Sequence, residues 1–329
     1  MFKGIADQIK EAQKEIIKQE TLQNYFEMLT NFRKEKVRKE RKTNTAFTKQ
    51  LLPHLSSQNL DQIPGLRSLF YVVLEKQDNE NDPKRLKFLE TYMLLKSFPK
   101  RIQIFDQELE KVKPLLKSKR ETRSLRVLVK NIRQATMDKY YFQEVSSLLY
   151  LSEKAGEVNA RSLTLEKAID IGKKIQLALN EAVDYLKQED SWGSWELYFS
   201  RKVKFDAIPP SEIDKAFDAI PYIASLMNCF AALNEPFFPA RDILILKKMA
   251  DEFVEGLISD MIQDWLVESK TKKMRARINQ SLGNINVMIR ILTSMREQNK
   301  SEITLMDVEG QNRLEYTEDF VRKKLSDKI

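Results

Sequence analysis

Nucleophilic or metal chemistry through nitrogen or sulfur would rest here on one histidine, His54, and one cysteine, Cys229. A thiolate nucleophile needs a base within hydrogen-bond reach. His54 lies in a proline-interrupted segment, and Cys229 lies in the apolar run 223–230, where a buried small hydrophobe is expected. Carboxylates pair at helical spacing, Glu252 with Glu255 and Asp260 with Asp264. No Glu-x-x-His motif accompanies them, so a di-iron bundle site is not indicated. The chain has no Gly-rich phosphate loop and no Cys/His metal set. These residues point to a non-catalytic protein with no cofactor and no metal. The enzymatic alternative is a carboxylate-only site, which requires a pocket ringed by carboxylates and Lys or Tyr.

Cations offer a different chemistry, the holding of anions. A dense run carries Arg33, Lys34, Lys36, Arg38, Lys39, Arg41 and Lys42. It reads as an electrostatic handle for phosphates, or as a solvated helix whose Glu35 and Glu40 pair with neighbouring cations. A second set, Lys119, Arg123, Arg126, Lys130 and Arg133, recurs at spacings of four, three, four and three, which lines one face of a helix. The apolar Leu125, Leu128, Val129 and Ile132 adjoin it. A third region, 191–210, interleaves Trp192, Trp195, Tyr198, Phe199 and Phe205 with Arg201, Lys202 and Lys204. It could stack on bases or lie at a lipid headgroup layer, or pack as a joint between helical modules. Lys270, Lys272, Lys273, Arg275 and Arg277 gather at a helix junction, where the macrodipole alone favours cations.

The elements that must position these residues read as helices. Only 8 of 329 residues are glycine, about a third of the usual ~7% share, so few hairpin turns are available. Ile5, Ile9, Ala12 and Ile16 form one helical face, and Leu22, Tyr25, Phe26, Leu29 and Phe32 continue it. The basic run has one apolar residue in its interior, which predicts an exposed helix end or linker. Pro99 divides helices over 84–98 and 100–113, and the next helices cover 115–137 and 140–151. Gly156 marks a break, after which Ser162 or Thr164 caps a helix through 186. Alternation over 197–205 allows one short strand. Ser211 with Asp214 resembles a capping box. Pro221, Pro236 and Pro239 divide the apolar stretch that follows, a long helix covers 240–268, and 278–292 has coiled-coil spacing. Gly310 separates a last amphipathic piece, for a total of ten to twelve helices.

The fold class expected is all-α: an elongated multi-helix bundle with two helical modules joined by an aromatic connector. The modules cover 1–190 (amphipathic helix and basic run over 1–45, bundle over 46–190) and 211–329, with the connector over 191–210. Hydrophobic residues at 42% and charged residues at 32% fit a globular chain that buries a core. A net charge of +8 permits acidic partners without demanding them. The expected function is a scaffold or adaptor that holds other proteins through helix grooves and an amphipathic N-terminal helix. The alternative is an anion-binding protein for RNA, with an anionic membrane second, and a homo-oligomer fits either reading. The lone cysteine fits a reducing cytoplasm, and neither a signal peptide nor a span of ~18 uninterrupted apolar residues is read from the sequence.

Overall fold

Periodic apolar stripes at three- and four-residue spacing need a partner helix to cover them. The computed structural model describes residues 2–51, 65–75, 82–140, 142–188, 211–266 and 271–326. The chain is all-α, a multi-helix bundle with eight α-helices and no strand among the described residues. They are α1 Phe2–Ala46, α2 Gly65–Phe70, α3 Pro83–Val112, α4 Lys119–Lys139, α5 Gln143–Gln188, α6 Glu212–Asn234, α7 Ala240–Leu266 and α8 Lys272–Ser326. The expected strand over 197–205, the connector and His54 lie outside the described residues.

Two compact units result. Unit 1 takes residues 1–27, 110–170 and 289–329; unit 2 takes 28–109 and 171–288. The units interleave along the chain, a different division from successive modules over 1–190 and 211–329. The reason is helix length: α1, α5 and α8 have 45, 46 and 55 residues and contribute to both units.

Unit 1 is a four-helix arrangement of α1, α4, α5 and the end of α8. Phe2, Ile9, Ala12 and Ile16 of α1 meet Val129 of α4, Leu148 and Leu149 of α5 and Val321 of α8 in one core. Phe2 lies edge-on to Tyr140 at 5.1 Å between ring centres. The amphipathic face of α1, expected to hold partners, is therefore already buried within its own unit. Periodicity marks a face as apolar but not whose side chains cover it.

Unit 2 is organised around α6 and α7. α6 is apolar nearly all round, as a helix buried on most sides must be. Its polar residues are satisfied along the helix: Ser225 Oγ donates to the Pro221 carbonyl at 2.8 Å, and Asn228 Nδ2 donates to the Ala224 carbonyl at 3.0 Å. Cys229 is buried in it, as expected. α6 is the one described helix long and apolar enough to cross a membrane, and 78% of its most apolar window is buried inside the protein. The Ser211 cap is present: Ser211 N–H donates to Asp214 Oδ2 at 2.7 Å, and Asp214 Oδ1 also accepts from Leu66 N–H at 2.7 Å, tying α2 to α6.

Four expected breaks are absent. Pro99 lies inside α3 and Pro221 inside α6. A helix-interior proline costs about 3 kcal/mol. On α3 the buried stripe continues across it, from Phe88, Met93 and Phe98 to Phe105, and that burial outweighs the cost. Gly156 and Gly310 are interior to α5 and α8. Thr164 is likewise mid-helix, with its hydroxyl donating to the Ala160 carbonyl at 3.2 Å instead of capping a new helix. Pro236 and Pro239 do lie between α6 and α7.

The interior glycines differ in consequence. A Cβ built at Gly283 meets nothing within 4 Å, and one at Gly310 meets only Leu151 Cδ2 at 3.8 Å. Gly283→Ala and Gly310→Ala each raise stability by about 0.5–1 kcal/mol, because alanine has the higher helix propensity and restricts the unfolded chain. Urea unfolding midpoints measure this; a fall in either midpoint contradicts it.

Candidate anion-binding site

α4 starts where Ser118 and Glu121 satisfy each other. Glu121 N–H donates to Ser118 Oγ at 3.2 Å, and Ser118 N–H donates to Glu121 Oε2 at 2.8 Å. These hydrogen bonds from Ser118 hold the Glu121 carboxyl below its ordinary range. The helix therefore begins at Lys119 and not at 115, after a 3₁₀ turn over Lys113–Leu115 that contains Pro114. The motif Ser-x-x-Glu was the sequence signal for this start.

α4 buries only Val129 and Thr136, with Leu125, Ile132 and Met137 packed on the core edge. All five stripe cations, Lys119, Arg123, Arg126, Lys130 and Arg133, are exposed. Arg126 pairs with Glu20 of α1, and Arg133 pairs with Glu153 of α5 at 3.5 Å. Lys119, Arg123 and Lys130 have no ion pair among the described residues. Arg120, outside the stripe read from spacing, is three residues before Arg123 and ten before Lys130, so these three surround exposed Val127 on the outermost face.

Beside this face runs a groove of about 590 Å³ between α1 and α4. Gln19, Glu20, Gln23 and Asn24 form its α1 wall; Lys117, Lys119, Thr122, Arg123 and Arg126 form the other. Buried Gln19 braces it. Its amide donates to the Leu115 carbonyl at 3.1 Å, and its oxygen accepts from Lys117 N–H at 2.8 Å. Lys117 pairs with Glu15 at 3.0 Å. Burial alone would raise the Glu15 carboxyl, but hydrogen bonds from Gln19 and Lys117 and the charge of Lys18 bring it below its usual value. The amides of the α1 wall carry no sequence signal, because Gln and Asn on a helix look like any solvated face.

The basic run 33–42 is neither a linker nor wholly exposed. Lys36 is 2% exposed. Its ammonium donates to both oxygens of Asp251 on α7, at 2.6 and 2.5 Å. Arg101 of α3, 1% exposed, donates to Asp251 Oδ1 at 2.7 Å, and its Nε has no hydrogen-bond partner. Arg33 pairs with Asp106 and Lys39 with Glu255, so the ion pairs of the run go to α3 and α7, while Glu35 acts on Lys36 only through its charge. One face of the run is thus internal to unit 2, while Lys34, Arg38, Arg41 and Lys42 point outward. Burial, then the charge of Arg101, pushes the Lys36 ammonium below its ordinary value.

The carboxylates singled out by spacing hold helices together. Asp260 pairs with Arg277. Asp264 accepts from Lys273 N–H at 3.0 Å and Met274 N–H at 3.1 Å, which caps the start of α8. Glu255 belongs to Lys39. Among the described residues no group of three His, Cys, Asp or Glu is placed to hold a metal ion. Trp192, Trp195, Arg201, Lys202, Lys204 and Lys270 lie outside the described residues. No family model, curated protein or solved structure matches the chain.

Proposed function

We propose that this chain is a non-catalytic helical adaptor, and that the outer face of α4 is the surface with which it holds acidic protein partners. One observation carries the reading. α4 bears seven Lys or Arg against two acidic residues, buries only two side chains, and leaves Arg120, Arg123 and Lys130 without an ion pair among the described residues, around an exposed Val127. Exposed charge of one sign steers opposite charge and selects among partners, and an apolar centre adds desolvated contact. The N-terminal face of α1 takes no part, since its own core covers it.

The second reading, RNA binding, is supported by the amide-lined basic groove between α1 and α4. Amides and guanidinium groups donate to phosphate and base edges alike.

One titration tests both. The full chain and the triple variant Arg120→Gln, Arg123→Gln, Lys130→Gln are bound to immobilised polyglutamate and to a single-stranded RNA over a range of salt. The variant loses about tenfold in polyglutamate affinity while keeping its helical spectrum. Equal affinity removes α4 from the function. Preference for RNA, with a salt slope shallower by about two in the variant, selects the second reading.

A further inference from the structure

Unit 1 carries a second charged face, of the opposite sign. Between residues 301 and 319 α8 holds six acidic residues against one basic residue, Arg313; Glu302 and Asp307 turn to Lys154 and Lys10, Glu309 pairs with Arg313, and the exposed Glu315 and Asp319 carry the charge of the outer face. Large apolar side chains are exposed on the same stretch: Leu305 is 70% exposed, Val308 57% and Tyr316 61%. Leu305 and Tyr316 are eleven residues apart, which is three helical turns and about 16 Å on one face. Glu315 and Asp319 flank that line and are exposed, with no ion pair among the described residues.

This face cannot meet α4 of its own chain. α8 is joined to α1 by Lys10–Asp307 at 2.7 Å and to α5 by Lys154–Glu302 at 3.7 Å. α4 is joined to the same two helices, by Arg126–Glu20 and Arg133–Glu153. Val129 of α4 and Val321 of α8 both turn into the shared core of the unit, so the opposite, exposed faces of the two helices turn outward.

We propose that the basic face of α4 docks on the acidic face of α8 from a second copy of this chain. The proposal rests on the reading of α4 as a docking face and names its occupant. The two surfaces match in sign, each has an apolar centre (Val127 on α4; Leu305, Val308 and Tyr316 on α8), and they match in length, since Arg120 to Lys130 spans ten residues, about 15 Å. Contiguous exposed apolar side chains framed by charge mark an interaction surface. The contact joins two different patches, so it is heterologous, and it repeats into a ring or an open chain and does not stop at a two-fold dimer. A single helix pair buries less than about 1,200 Å², so the association is weak, concentration-dependent and salt-sensitive.

Sedimentation of the full chain tests it. At about 0.1 M salt the weight-average mass rises above 38.6 kDa with protein concentration, on the order of 100 µM being sufficient, and returns to 38.6 kDa near about 1 M salt. Variant one carries Arg123→Glu and Lys130→Glu; variant two carries Glu315→Lys and Asp319→Lys. Each alone stays at 38.6 kDa with unchanged helicity, and an equimolar mixture associates again, because each opposed pair of faces is then complementary. Wild type at 38.6 kDa under every condition, or a mixture no heavier than its components, overturns the proposal. Variants that associate like wild type overturn it too. A wild-type monomer that still needs α4 to bind polyglutamate sinks only the second-copy partner; a monomer indifferent to α4 in both assays sinks both readings.

Discussion

Asp251→Ala lowers the stability of the protein by about 3–5 kcal/mol, the cost of leaving buried cations without their counter-charge. Lys36 and Arg101 are 2% and 1% exposed, and both donate to this one carboxylate. With it gone, two buried cations from α1 and α3 remain beside each other without their shared carboxylate. Replacing all three, with Lys36→Met, Arg101→Met and Asp251→Leu, removes the desolvation penalty with the charges, and the triple variant is expected within about 1 kcal/mol of wild type or above it. Urea unfolding of the two variants decides the matter. A loss below about 1 kcal/mol in Asp251→Ala would mean the cluster is wetter than its burial indicates.

The same group sets a pH dependence. Burial would raise the Asp251 carboxyl, but the charges of Arg101 and Lys36 outweigh it and hold the group below its ordinary 3.8. A depressed folded-state value means that the unfolded chain binds the proton more readily. The Asp251 contribution is thus complete above about pH 3.8 and is lost as the pH falls through the lower, folded value. Lys36 acts with the same sign in an alkaline window. Its folded value lies below 10.5, so stability rises with pH between that folded value and 10.5, as the unfolded chain keeps a proton that the folded one releases. Asp251→Ala should flatten the acid limb of stability against pH; an unchanged limb would assign acid sensitivity to other carboxylates.

Gly156→Ala is expected to destabilise by about 1–3 kcal/mol, despite the higher helix propensity of alanine. A Cβ there falls well inside contact distance of the Lys10 carbonyl oxygen and lies 3.0 Å from Gln13 Cβ and Lys14 N. The obstacle is the backbone of α1, which cannot retreat as a flexible side chain would. Relief requires α1 and α5 to separate, which loosens the packing of Ile9 and Ala12 in the unit 1 core. Gly156→Leu costs more for the same reason. The substitution that stabilises at positions 283 and 310 thus has the opposite sign at 156, and thermal midpoints of the three alanine variants give a direct comparison.

Local pattern accounts for much of what the chain displays. The inward stripe of Ile9, Ala12 and Ile16, the burial of Cys229, the Ser211 cap and the outward cations of α4 all follow from spacing over one to three turns. The misreadings share a different cause. Pro99, Gly156, Pro221 and Gly310 are genuine local breakers, yet apolar burial on both sides carries the helices through them. Gly156 in particular is set by its neighbour, since only a residue without Cβ admits the Lys10 carbonyl. In the candidate site, Lys119, Arg123 and Arg126 were legible, whereas the α1 wall of Gln19, Gln23 and Asn24 was not, because 96 residues separate Gln19 from the Leu115 carbonyl it braces.

The sequence by itself determined that the chain is helical and which face of each long helix is apolar, because both depend on residues within a few positions of one another. Only the tertiary structure decided which charges are inside. Lys36 is buried because Asp251, 215 residues away, supplies the countercharge, and α4 is left exposed because α1 and α5 cover only one of its sides. Desolvation and ion pairing depend on distance in space, which periodicity along the chain does not encode.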